Sequence, residues 1–315
     1  MPLLEVRNLR KSYGDLVAVE DVGFVIEPGQ VFGLLGPNGA GKSTTMMMIC
    51  GLLQPDAGTI LFDGEELQSH KHHLKRRLGV VPQDLAIYPE LSARENLRFF
   101  GKLYGLTGTI LNERVDDALA RTGLTPRADS ATDTFSGGMK RRLNFGCALL
   151  HRPDLLILDE PTVGIDPQSR NHLLESVQQL ASEGTAIIYA SHYMEEVEEV
   201  CRRVAIIDHG HVIAEDTLDA LLGRLKSEIS LRLRGGRRTL PPELTNVATL
   251  EPDDAETWTI NIDRAKLDGQ ITLSELLAHA LEHLAEQEAT LETIETHEAN
   301  LERLFLQLTG SRLRD

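Results

Sequence analysis

The run Gly36-Pro37-Asn38-Gly39-Ala40-Gly41-Lys42-Ser43 has the spacing GxxxxGK[ST], with Thr44 next. Glycines so spaced let the backbone fold tightly and aim its N–H groups at phosphate oxygens, and a helix starting there directs its positive end to the same place. Lys42 then reaches the outer phosphates of a nucleotide, and the Ser43 hydroxyl is placed to ligate Mg²⁺. Gly36, Asn38, Gly39, Gly41, Lys42, Ser43 and Thr44 are the candidate nucleotide contacts. A second run, Leu155-Leu156-Ile157-Leu158-Asp159-Glu160, is apolar and ends in two carboxylates. A buried strand of this kind would hold Asp159 near the same cation and set Glu160 to orient or deprotonate a water attacking the γ-phosphate.

Both runs need strands behind them. Over the first 220 or so residues, short apolar runs alternate with amphipathic stretches, which predicts an α/β core with a largely parallel sheet. Val31–Leu35 and Leu155–Leu158 read as buried strands, Ala186–Ala190 as another, and Ser43–Leu52 as the helix after the glycine loop. Leu3–Val6 and Val17–Ile26 read as an antiparallel edge, followed by a strand at Thr59–Phe62 and a turn at Asp63-Gly64. From about 84 to 150 strand signals vanish and helices such as Ala93–Tyr104 and Leu111–Arg121 predict an all-helical insertion. Val204–Asp208 and His211–Glu215 flank the hairpin signal His209-Gly210. The expected domains are 1–223 and a small α+β domain at 224–315, with strands at Ile229–Leu233 and Trp258–Ile262. Thr272-Leu273-Ser274-Glu275 predicts a capping box opening a helix to about Ala285, and a last helix is expected at Leu301–Leu308.

Between the two nucleotide motifs stands Phe135-Ser136-Gly137-Gly138-Met139-Lys140-Arg141-Arg142, and here the sequence resembles the ATP-binding cassette (ABC) ATPases, whose signature is usually LSGGQ. Other stations of that family occur in order. Tyr13 falls where an aromatic stacks on adenine, Gln83 follows the strand Gly79–Pro82 as the Q-loop residue, Gly164-Ile165-Asp166 resembles the D-loop, and His192 matches the switch histidine. The resemblance implies a P-loop NTPase (ABC ATPase) core binding ATP and Mg²⁺. Lys42, Gln83, Glu160 and His192 would be its catalytic residues, and Ser43, Gln83 and Asp159 its metal contacts. Tyr13 and Asp166 join the nucleotide contacts, while Ser136 and Gly138 would cap the ATP of a second, head-to-tail copy. Phe135 and Met139 replace the usual Leu and Gln; Met139 cannot donate a side-chain hydrogen bond, yet Glu160 and His192 are both present and hydrolysis is expected to survive. The tail Asn300-Leu301-Glu302-Arg303-Leu304-Phe305-Leu306-Gln307-Leu308-Thr309-Gly310 resembles ATPase subunits of daunorubicin-resistance-type exporters, whose membrane-spanning subunit is a separate chain.

Composition sets the limits of this reading. Acids outnumber bases 48 to 32 over 315 residues, a net −16 that is a poor match for nucleic acid or anionic lipid. No apolar run approaches the roughly 18 residues of a spanning helix, and no signal peptide is expected at Met1–Arg7. Cys50, Cys147 and Cys201 are too few and too scattered for a disulfide framework. The histidines in His70-Lys71-His72-His73 read as a solvated helix start, Met46-Met47-Met48 as core packing, and Glu195-Glu196 with Glu198-Glu199 as a solvated acidic helix face. The expected function is ATP hydrolysis driving export of a drug-like or lipid-like molecule through a separate integral-membrane permease. The chain would then sit on the cytoplasmic side of the membrane through that partner. The alternative is a non-transport ABC ATPase acting on ribosomes, DNA or cofactor assembly.

Overall fold

A computed structural model of the chain describes residues 1–68, 71–225, 228–254, 256–263, 273–297 and 299–309. The chain divides into two compact units, one holding Met1–Leu221 and the chain's end from Phe305, the other Leu222–Leu304.

The first unit opens with β1 (Leu4–Tyr13), β2 (Leu16–Ile26) and β3 (Val31–Leu35), then α1 (Lys42–Ile49), β4 (Ala57–Phe62), β5 (Glu65–Glu66), the single turn α2 (His72–Lys75) and β6 (Leu78–Val81). Three helices follow, α3 (Ala93–Leu103), α4 (Gly108–Arg121) and α5 (Gly137–Leu149). The alternation resumes with β7 (Leu155–Asp159), α6 (Pro167–Ser182), β8 (Ala186–Ala190), α7 (Met194–Val200), β9 (Arg203–Asp208), β10 (His211–Thr217) and α8 (Leu218–Leu222). The strands form one sheet in the order β5-β4-β1-β2-β10-β9-β3-β8-β7-β6. From β9 through β3, β8 and β7 to β6 the neighbours run parallel, whereas β1, β2, β4 and β5 pair antiparallel. β10 pairs antiparallel with β9 and meets β2 through a single parallel bridge, His211 to Asp21.

Burial explains why the parallel strands are so short and so apolar. β3 and β8 are buried at every residue and β7 at all but its terminal Asp159, as strands covered on both faces must be. The 84–150 segment folds as helices around Leu97, Leu111, Val115, Leu119 and Leu143. A complete capping box at Ser92 and Glu95 starts α3.

Several expectations shift at their ends. β1 runs on to Tyr13 through register irregularities instead of stopping at Val6. α1 ends at Ile49, three residues before Leu52, where Gly51 adopts φ 63°. Met46 and Met48 are core, but Met47 is exposed. His72 and His73 stand on α2, with Lys71 and His73 both beside Glu65; His70 lies outside the described residues.

In the second unit β11 (Glu228–Arg234), β12 (Ala248–Pro252), β13 (Thr257–Asp263), α9 (Leu273–Glu286) and β14 (Thr290–His297) precede α10 (Leu301–Thr309). The antiparallel sheet has the order β12-β13-β11-β14. Ile229, Leu231, Leu233, Trp258, Ile260 and Ile262 pack against Leu276, Ala280 and Leu284 of α9. The edge strands β12 and β14 were not legible as strands, and the capping residue Thr272 lies outside the described residues.

Candidate functional site

Parallel strands bring the predicted groups together by ending side by side. The glycine loop leaves β3, His192 follows β8, Asp159 and Glu160 close β7, and Gln83 follows β6. This is the carboxyl edge of an open α/β sheet, where such folds bind ligands. Register fixes the alignment, with Asp159 opposite Ala190 and Val81 opposite Leu158.

The loop's glycines are dictated by its neighbours. Gly41 has φ 105°, and a Cβ there would lie 2.5 Å from the Ala18 carbonyl oxygen. A Cβ on Gly36 would come within 2.2 Å of the Ile207 carbonyl oxygen. Gly39 has φ 83° and open space around it. Lys42 is buried, and its Nζ donates to the carbonyl oxygens of Gly36 (2.7 Å) and Pro37 (3.1 Å). Burial pulls the Lys42 pKa down, while the charges of Glu160 and Asp159 hold it up. Burial, and then the Glu160 charge, raise the Asp159 pKa against the pull of Lys42 and the Ser43 hydroxyl hydrogen bond. Asn38 is exposed in the glycine loop, and Thr44 is half-buried on α1.

Glu160 is the centre of the cluster. Its backbone is left-handed, φ 47°, a conformation that costs a residue with a Cβ on the order of 1–3 kcal/mol and that gathers at functional sites. Its N–H donates to the Ala190 carbonyl oxygen at 2.9 Å, tying β7 to β8 at the turn. The buried carboxylate accepts from Gln83 Nε2 at 3.0 Å and lies 3.1 Å from His192 Nδ1. An ionised carboxylate only accepts, so Nδ1 carries the proton and Nε2 is left for another partner. Arg141 of α5 donates to the Gln83 carbonyl oxygen, and Asn144 Oδ1 accepts from Ala86 N–H, so α5 holds the segment after β6.

Ser43 and Asp159 present a hydroxyl and a carboxylate in contact, the hard oxygen donors Mg²⁺ takes. Among the described residues no group of three or more His, Cys, Asp or Glu side chains could hold a metal by itself. A Mg²⁺ ion held by this pair would fill the rest of its shell with water and phosphate oxygens. Gln83 turns its amide nitrogen to Glu160, which leaves its amide oxygen for a metal.

Other predicted residues lie apart. Tyr13 is half exposed at the end of β1. Ser136 caps α5, its Oγ accepting from Met139 N–H at 3.2 Å. Asp166 caps α6, accepting from Ser169 N–H at 2.9 Å, and this pulls its pKa down. Gly138 sits against that same cap: a Cβ there would lie 2.1 Å from Ser169 Oγ and 2.8 Å from Asp166 Oδ2. The signature turn and the D-loop thus touch within one chain.

One expectation is overturned. Glu195 and Glu199 are exposed and Glu198 partly so, but Glu196 is 2% exposed. Its Oε2 accepts from Thr162 Oγ1 (2.6 Å) and Tyr189 Oη (2.8 Å), and Arg170 lies 3.1 Å from Oε1. Val200, four residues on, and the adjacent Val197 are buried, so the helical period puts Glu196 on the inward side of α7.

A family model described as ABC transporter matches residues 19–163. The linearmycin resistance ATP-binding protein LnrL of Bacillus subtilis (strain 168) is 45% identical over 315 residues, covering 99% of this chain and 100% of that one. This chain belongs to the ABC transporter ATP-binding family. It is an ATP-binding ATPase of that family, and its resemblance to drug-resistance-type members holds over its full length. A Nod factor export ATP-binding protein I of Cupriavidus metallidurans is 39% identical over 99% of both chains. Among solved structures, the ABC ATPase CbiO1 of Clostridium perfringens, part of the transporter complex CbiONQ, superposes with a TM-score of 0.66 at 31% identity. That match covers 70% of this chain and 91% of CbiO1.

Proposed function

We propose that this ABC ATPase powers export, hydrolysing ATP to drive a drug-like or lipid-like molecule through a separate membrane chain. The observation that carries hydrolysis is the Glu160 carboxylate, buried beside Asp159 and gripped by Gln83 and His192. Full-length similarity to proteins named for linearmycin resistance and Nod factor export supports the direction. No described helix is long and apolar enough to cross a membrane, which suits a transport path lying on a partner.

Backbone N–H groups of Asn38, Gly39 and Gly41 and the Lys42 ammonium would bind the phosphates, Lys42 exchanging the Gly36 and Pro37 carbonyls for phosphate oxygens. Ser43, Asp159 and Gln83 would hold Mg²⁺, whose charge neutralises the β- and γ-phosphate oxygens. Glu160 would orient the attacking water and take its proton. For His192 to donate to a γ-phosphate oxygen it must carry both ring protons or leave Glu160, so ATP arrival would reset this contact. Tyr13 would stack on adenine. Ser136 and Gly138, with Asp166 nearby, would close over ATP held by a second copy.

The test is Glu160→Gln in the full-length chain. Turnover should fall about 10²–10⁴-fold, as for loss of a general base, and ATP should trap a dimer on gel filtration. Unchanged hydrolysis refutes the role. Purification from detergent extracts should bring down a membrane protein; ribosomes or nucleic acid would favour the non-transport reading instead.

A further inference from the structure

Glu196 has no part in the chemistry outlined above, yet it is among the most buried charged groups of the first unit. Three hydroxyls converge on its Oε2: Thr162 at 2.6 Å, Tyr189 at 2.8 Å and Ser191 at 3.4 Å. Thr162 lies two residues after Glu160, and Ser191 immediately precedes His192. The Ser191 oxygen also accepts from Tyr193 N–H at 2.9 Å, across His192. On the other side, Arg170 of α6 lies 3.1 Å from Oε1 and holds its guanidinium 5.5 Å above the Tyr193 ring. The Tyr193 ring in turn lies 4.1 Å from that of His192, centroid to centroid. One carboxylate therefore touches the segment leaving Glu160, the segment carrying His192 and, through Arg170, the helix that Asp166 caps.

We propose that Glu196 is a positioning residue for hydrolysis, a buried anionic pin that fixes the Glu160 and His192 segments relative to each other. It rests on the reading of Glu160 and His192 as hydrolytic groups. The two segments are joined through their backbones where Glu160 N–H donates to the Ala190 carbonyl oxygen, but between their side chains the direct contact is that of Glu160 with His192, which ATP would disturb. A pin behind the site keeps both groups in register while that contact is exchanged. Buried carboxylates are tolerated where donors and opposite charge face them, and here three hydroxyls donate to Oε2 while the Arg170 guanidinium forms an ion pair at 3.1 Å from Oε1 without hydrogen-bond geometry.

Glu196→Gln in the full chain separates the charge from the shape. The amide oxygen can still accept from Thr162 and Tyr189, but its NH₂ then faces Arg170, donor against donor. Arg170, Tyr193 and His192 lose their anchor. The expected result is a drop in kcat of about 10–100-fold, the scale of a small misplacement of reacting groups. Affinity for the fluorescent nucleotide MANT-ATP should stay within about threefold, because Glu196 touches none of the nucleotide-binding residues. Thr162→Val cuts the other arm and should also lower kcat, with Thr162→Ser restoring it; this pair decides the matter should Glu196→Gln fail to fold. Folded variants with wild-type kcat overturn the proposal. So does a loss of MANT-ATP affinity as large as the loss of kcat, which would mean Glu196 shapes the nucleotide pocket. Glu160→Gln, run alongside, distinguishes the two failures: if it keeps turnover, the reading of the site is at fault, and if it loses turnover while Glu196→Gln does not, only the pin is.

Discussion

Gly138 offers a test of packing that needs no nucleotide. In the family it would serve a second copy's ATP, but within the chain it already has a neighbour that excludes any side chain. A Cβ would lie 2.1 Å from Ser169 Oγ, 2.6 Å from Ser169 Cβ and 2.8 Å from Asp166 Oδ2. Rotating the Ser169 hydroxyl relieves the first contact but not the second, because Cβ is fixed by the backbone of α6. Relief then requires either that α5 and α6 move apart, at about 1–3 kcal/mol for overpacking, or that the Asp166 cap on Ser169 N–H breaks, at about 1 kcal/mol. For Gly138→Ala the cost is thus about 1–3 kcal/mol, which in a unit of this size lowers Tm by about 2–12 °C. Gly137→Ala is the control: one residue earlier on the same helix, its Cβ would meet only the Gly164 carbonyl oxygen at 3.6 Å, so Tm should hold or rise slightly. Ser169→Gly should recover most of what Gly138→Ala loses. Differential scanning calorimetry of the chain without nucleotide measures all three. Equal Tm for both alanine variants, or no recovery in the double variant, refutes the packing argument.

Gly41→Ala should abolish binding of MANT-ATP, because φ 105° and the Ala18 carbonyl at 2.5 Å leave the new methyl no place; wild-type affinity would contradict the loop geometry. Trp258 is the sequence's single tryptophan and is fully buried, its Nε1 donating to the Gly235 carbonyl oxygen at 2.9 Å. Its fluorescence therefore reports the second unit, and Leu231→Ala, which empties a fully buried site there, should destabilise that unfolding transition by about 2–5 kcal/mol. Asp254 accepts backbone N–H bonds from Glu256 and Thr257 at 2.7 Å each, and these hold its pKa down to about 2. A carboxylate depressed in the folded state stabilises above the unfolded value of about 3.9 and loses that contribution as pH falls through about 2. Asp254→Asn should accordingly flatten the loss of stability of the second unit over that window, read as urea midpoints by Trp258 fluorescence, with no flattening as the contrary result.

The parallel core and its nucleotide motifs were legible because short, wholly apolar strands and glycine spacings are local signals that packing reinforces. β3 and β8 fell where Val31–Leu35 and Ala186–Ala190 were read, and the His209-Gly210 hairpin formed with both residues at positive φ. The second unit was harder. Ala248–Pro252 ends in proline and Thr290–His297 is threonine or glutamate at five of its eight positions along a mostly exposed edge, so neither carries the apolar pattern of a strand paired on both sides. The role of Arg141 has no sequence signal for a different reason: its target is the Gln83 backbone carbonyl, and no side-chain pattern announces a backbone acceptor 58 residues away.

Glu196 shows what periodicity does contain when it is followed through. Four glutamates around Val197 suggest a solvated face, and three of them do reach solvent to some degree. The period nevertheless places the fourth beside Val200, inside. Its partners there are Tyr189 of β8, Arg170 of α6, and Thr162 and Ser191 in the turns after β7 and β8, which only the sheet order makes neighbours. Replacing such a carboxylate with an apolar residue of similar size is often harmless to stability when its partners are replaced too, whereas stranding the partners is not. Glu196 and Arg170 therefore make an informative pair. If the pin serves only the fold, Glu196→Gln combined with Arg170→Met should recover both Tm and turnover, since no charge is left stranded. If it serves the reaction, the pair should recover Tm but not kcat, because Tyr193 and His192 would still lack the cation that Glu196 holds in place.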